Sequence, residues 1–81
     1  MTRLEIRNLR AEEIRAQLLR EMGGTVDGSR VDGDGWSVDF VRGEPATVGR
    51  MLVPVLFLDV SGEREAEIAH YLRMRTMRGG G

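Results

Sequence analysis

Among its 81 residues the chain has no cysteine, no lysine and a single histidine, and each shortage closes off a class of chemistry. Without cysteine there is no disulfide framework and no thiolate metal site, and the redox compartment is left unconstrained. With His70 as the sole histidine, and Ser29, Ser37 and Ser61 in turn or strand settings without a nucleophile-elbow pattern, no catalytic triad can be assembled. His70 reads as a residue on the surface of a helix. All 12 basic residues are arginine, which a GC-rich coding bias explains more simply than dedicated phosphate recognition. No apolar stretch approaches the roughly 20 residues that span a bilayer, and Met1 to Glu5 carries no signal-peptide core. The expectation is a cytoplasmic protein with no membrane partner.

The formal net charge of −1 argues against a general nucleic-acid binder held by phosphate neutralisation. Trp36 and Phe40 share one face of a candidate strand, but Asp34 and Asp39 beside them repel phosphate, so the two rings are assigned to the core rather than to base stacking. Asp27, Asp32, Asp34 and Asp39 form an acidic cluster. Asp32-Gly33-Asp34-Gly35 lacks the third oxygen ligand and distal glutamate of a calcium loop, so it reads as hairpin-turn chemistry, and no metal and no cofactor is expected.

What the sequence does contain is a pattern of elements. Thr2 to Arg7 alternates polar and apolar residues as a half-buried strand does. Asn8 offers an N-cap, and from Leu9 to Met22 the residues Ala11, Ile14, Leu18, Leu19 and Met22 form one helical stripe, closed by Gly23-Gly24. Thr25 to Asp32 is a weak strand interrupted by Gly28. The Asp-Gly turn follows, then a strand from Trp36 to Val41, then a turn at residues 43–46. From about Val48 the chain re-enters the sheet.

The longest apolar run, Arg50 to Ser61, predicts a strand kinked or bulged at Pro54, with Met51, Val53, Val55 and Phe57 on one face and Leu52, Leu56, Leu58 and Val60 on the other. Ser61 then caps a helix from Gly62 to about Met77, acidic at its start and basic at its end as the helix dipole favours. The order is strand, helix, three or four antiparallel strands, helix: an α+β domain over residues 1–78, with both helices on one face of a curved sheet, and a flexible glycine tail at 79–81.

Two faces of the Arg50–Ser61 run are apolar, and 81 residues supply helices for only one. A homodimer or other protein partner is expected to cover the second, with Val41, Leu52, Leu56 and Leu58 as its face; the alternative is a small-molecule pocket on the same face. No catalytic constellation is present, so a non-enzymatic role is expected. The ending Arg78-Gly79-Gly80-Gly81 suits a tail that threads an activating enzyme and is modified at the Gly81 carboxylate, as in ubiquitin-like and sulfur-carrier proteins. Those proteins, however, run strand, strand, helix, strand, strand and end in a strand.

Residues Leu19 to Thr25, Glu44-Pro45 with Val48-Gly49, the Pro54 strand ending Val60-Ser61-Gly62-Glu63, and Arg78 to Gly81 together resemble the C-terminal domain of MoaD-related proteins, which follows a molybdopterin-synthase small-subunit-like domain. The resemblance implies a TBP-like β-α-β4-α fold and an accessory role near sulfur transfer or molybdenum-cofactor biosynthesis. It also implies that the carrier activity belongs to a preceding domain that this chain lacks.

Overall fold

The computed structural model describes residues 1–7 and 10–76 of the chain. Seven strands and two helices run in the order β1 (Thr2–Arg7), α1 (Ala11–Met22), β2 (Thr25–Asp27), β3 (Arg30–Gly33), β4 (Trp36–Arg42), β5 (Ala46–Val48), β6 (Met51–Val53), β7 (Val55–Ser61) and α2 (Glu65–Thr76). The class is α+β, as the alternation and helical stripes predict. Five strands form an antiparallel sheet in the order β1-β7-β4-β3-β2, and β5 and β6 pair as a separate ribbon.

β7 is the axis of the sheet, pairing with β1 on one side and β4 on the other. Its registers, Leu4 with Leu58 and Phe40 with Leu58, put Leu4, Ile6, Leu56, Leu58, Val60, Val38 and Phe40 on one face, since side chains alternate along each strand. The same residues cluster with Ile14 and Leu18 of α1 and Ile68 and Leu72 of α2. Both helices therefore cover that one face, and Leu18, Leu58, Val60 and Ile68 are wholly buried. Tyr71 ties the helices together by donating its phenol to Glu21 at 2.6 Å, and Arg75 reaches the same carboxylate at 2.7 Å.

Trp36 lies in this core at the β3–β4 turn, where only a glycine leaves room: a Cβ on Gly33 would fall 2.0 Å from the indole Cε2. Gly62 is packed as closely, its would-be Cβ 2.5 Å from the Gly35 carbonyl oxygen, so the β7–α2 connection presses on the β3–β4 turn. Arg64 N–H donates to that same carbonyl at 2.9 Å, fixing where α2 begins.

Several local expectations are corrected. Asn8 and Leu9 lie outside the described residues, and α1 begins after Arg10, whose side chain makes no capping bond. At the other end Gly23 closes α1 as expected, with φ +76 and its N–H on the Leu19 carbonyl at 3.1 Å. The segment from Thr25 to Asp32 is a hairpin of two short strands rather than one, because Gly28, at φ +61, turns the chain. Ser61 ends β7 and sits 3.1 Å from the Ser37 hydroxyl instead of capping α2, which starts at Glu65.

The apolar run is not one strand of the sheet. Pro54, unable to donate to a ladder, separates β6 from β7, and β6 pairs with β5 outside the five-stranded sheet. The second sheet face is also not apolar, because charged residues from all five strands stand on it. The glycines at 79–81 lie outside the described residues.

Candidate functional site

The face of the sheet turned away from the helices carries charge. In register across five strands stand Arg3, Asp59, Asp39, Arg30 and Asp27. Asp59 and Asp39 are direct cross-strand neighbours, an arrangement that costs stability unless each carboxylate has its own counter-charge. Each does. Arg3 grips Asp59 with Nε at 2.7 Å and Nη2 at 2.9 Å, and Arg30 grips Asp39 at 3.1 and 3.2 Å. Arg3's hydrogen bond, opposed by partial burial and helped by its charge, holds the Asp59 carboxyl below the ordinary aspartate value. Arg3 also lies 4.7 Å from the centre of the Phe57 ring, so it screens the aromatic on this face.

Val41, Leu52, Leu56 and Leu58 do not share one face; of the four, Leu52 and Leu56 come together, in the lining of one cavity. Leu56 and Leu58 are core residues beneath the helices, Val41 is partly exposed on the charged face, and Leu52 stands on β6, away from the sheet. The sequence places Leu52, Leu56 and Leu58 on one face by counting twos through Pro54, where the strand in fact ends.

The apolar surface is found elsewhere. β5 and β6 project from the end of the sheet between β4 and β7, as an arm turning at Gly49-Arg50. On this short arm Val48, Met51 and Leu52 are 55%, 68% and 69% exposed. An isolated two-stranded ribbon is marginal in water, so an arm with so much apolar surface is a candidate contact surface. Where the arm leaves the sheet, a cavity of about 610 Å³ opens against the first turn of α1. Ala11, Pro45, Leu52, Pro54, Val55 and Leu56 supply its apolar side, and Arg10, Glu12 and Arg42 its charges. No spacing in the sequence signals this cavity, because its walls come from three separated segments.

Trp36 and Phe40 are buried in the core, as the sequence places them, and Arg15 of α1 lies 5.3 Å from the Phe40 ring centre. His70 is exposed on α2. Among the described residues no group of histidine, aspartate and glutamate side chains is gathered in a way that would hold a metal ion, and Asp39 is engaged by Arg30. No helix is long and apolar enough to cross a membrane.

Comparison with known proteins corrects the expected resemblance. No curated protein matches the chain. A family model described as archaeal MoaD-like protein matches residues 2–81, and that span overturns the expectation that the MoaD-like domain is missing and takes the carrier activity with it. The chain belongs to the archaeal MoaD-like protein family and is itself the MoaD-like domain.

Proposed function

We propose that this chain is a non-enzymatic interaction protein, linked through its family to sulfur-carrier chemistry and molybdenum-cofactor biosynthesis, and that it engages its partner through the β5–β6 arm. The observation that carries this is the exposure of Val48, Met51 and Leu52 on a ribbon that pairs with no strand of the five-stranded sheet among the described residues. The charged sheet face is a poorer contact surface, because its arginines and aspartates already satisfy one another and would have to be desolvated. The same proposal places the protein in the cytoplasm, reads its element order as TBP-like, and makes a second copy the first partner, with arm meeting arm about a two-fold axis.

Light scattering at micromolar concentration tests it. A dimer of about 18 kDa, twice the 9.1 kDa chain, is expected, and the double substitution Met51→Ser with Leu52→Ser should return it to monomer. A native chain that stays monomeric at every concentration and shows no arm contact on cross-linking defeats the arm as a self-association surface.

A second reading is favoured by one observation. The family match runs through Gly79, Gly80 and Gly81, which supports a carrier role in which a separate enzyme activates the Gly81 carboxylate. Against it, α2 is a helix where the ubiquitin-like order has its last strand. Intact-mass spectrometry of protein from its native host separates the two: exchange of one oxygen for sulfur at Gly81 establishes the carrier role. A terminus left unmodified by activating enzymes of that host removes it.

A further inference from the structure

Of the described arginines five are held by a carboxylate, and Arg10, Arg15, Arg20, Arg42, Arg50 and Arg73 are not. Arg3, Arg7, Arg30, Arg64 and Arg75 each pair with a carboxylate of the same chain. Arg10 and Arg42 form no ion pair among the described residues, yet both line the cavity at the base of the arm. Glu12 lines it too, so two positive charges against one negative leave the lining net positive. Leu52, Pro54 and Val55 line the same cavity. A volume of about 610 Å³ falls in the range of small-molecule sites, which pair an apolar wall with a few polar groups that fix orientation.

We propose that this cavity binds an organic anion: a compact apolar body against Leu52, Pro54 and Val55, and a carboxylate or phosphate held by Arg10 and Arg42. The planar guanidinium fork matches either headgroup. The apolar wall rejects small inorganic anions in favour of ligands that bury carbon, and the arginines reject neutral bodies of the same shape. Leu52 belongs both to this cavity and to the exposed surface of the arm, whereas Val48 and Met51 lie outside the cavity lining. Substitutions of Arg10 and Arg42 nevertheless separate occupancy from association, because neither residue stands on the arm.

The test uses a pair of dyes that differ in one group: 8-anilinonaphthalene-1-sulfonate, and N-phenyl-1-naphthylamine, which is the same molecule without the sulfonate. The anionic dye is expected to bind one per chain and to shift the amide resonances of residues 10–12, 42–43 and 52–56. Arg10→Gln or Arg42→Gln should each weaken it about fivefold, the scale of one partly solvated ion pair, while leaving the neutral dye unchanged. Added sodium chloride on the native chain should weaken the anionic dye alone, a readout that needs no variant. Hexanoate and hexyl phosphate should displace it, and whichever does so at lower concentration identifies the headgroup. Equal affinity for the two dyes, resonance shifts elsewhere in the chain, or an unchanged affinity in the Arg10→Gln, Arg42→Gln double variant would overturn the proposal. So would displacement by inorganic phosphate as effective as by hexyl phosphate, because the apolar wall would then contribute nothing.

Discussion

Replacing Gly33 with alanine adds one methyl group at the most crowded point of the core. The new Cβ would stand 2.0, 2.2 and 2.4 Å from Cε2, Cζ2 and Nε1 of Trp36, whereas non-bonded carbons rest at about 3.5 to 4.0 Å. The indole must therefore move by about 1.5 Å, and it has little room to do so. The residue is only 3% exposed and sits in the core cluster with Val31, Val38 and Ile68. Overpacking costs about 1 to 3 kcal/mol, and driving a large aromatic out of its site approaches about 3 to 5, so about 3 kcal/mol is expected. At about 4 to 8 °C per kcal/mol for a domain of this size, the melting temperature falls by about 12 to 24 °C. Trp36 is the only tryptophan, so its fluorescence reports both the transition and the displacement, the latter as a red-shifted native emission. Gly49→Ala is the control: nothing lies within 4 Å of its would-be Cβ, and the cost is the backbone cost of φ +62, about 1 kcal/mol with emission unchanged. A Gly33→Ala protein that loses less than its control and keeps the native emission would refute the packing argument.

Leu58→Ala removes a wholly buried side chain from the central strand and should cost about 3 to 4 kcal/mol, read from urea midpoints. Asp59→Asn should cost about 1 kcal/mol at neutral pH, kept small because Arg3 is half exposed. Because the Asp59 carboxyl is depressed below 3.8 by Arg3, its contribution is present above that value and is lost as pH falls through the lower folded value. Acid should therefore narrow the gap between native and Asp59→Asn proteins, and a gap constant across the acid range would count against the ion pair. Burial first, then its hydrogen bond to Glu21, raises the Tyr71 phenol above the ordinary value of 10.0. Ultraviolet titration should show this directly, and Glu21→Gln should lower the midpoint only in part, leaving the effect of burial.

The legible parts of the fold are those in which the signal is local. Ile14 and Leu18 fall on one stripe whatever α1 packs against, and both are buried. Asp34-Gly35 turns the chain because Gly35 adopts φ +83, a requirement visible in two adjacent letters. Pro54 announces a break, although not that the two sides of it belong to different sheets. The hairpin at Gly28 was hidden because β2 and β3 offer only Val26 and Val31 as apolar residues, too few to show where one strand ends. The charged row was illegible for a different reason. Arg3 and Asp59 are 56 positions apart, and only the neighbour relations of β1 and β7 bring them together. The same holds for the cavity, whose arginines are separated in sequence by α1, β2 and β3 and line one space only because the end of β4 lies near the start of α1.

The placement of the arm bears on how freely this chain can vary. β4 and β7 are antiparallel neighbours, with Arg42 opposite Leu56 and Gly43 N–H bonded to the Val55 carbonyl at 2.9 Å, so the ladder is complete without anything beyond. The eleven residues from Glu44 to Pro54 amount to an oversized hairpin loop. Exchanging them for a two-residue turn would remove about 1.5 kcal/mol of loop-closure entropy and leave every rung of the five-stranded sheet in place. The scaffold is thus indifferent to what the arm contains. Length and composition there can drift, or be grafted from another source, at only about 0.6 kcal/mol for each doubling of length, while the sheet and its two helices hold whatever the arm presents.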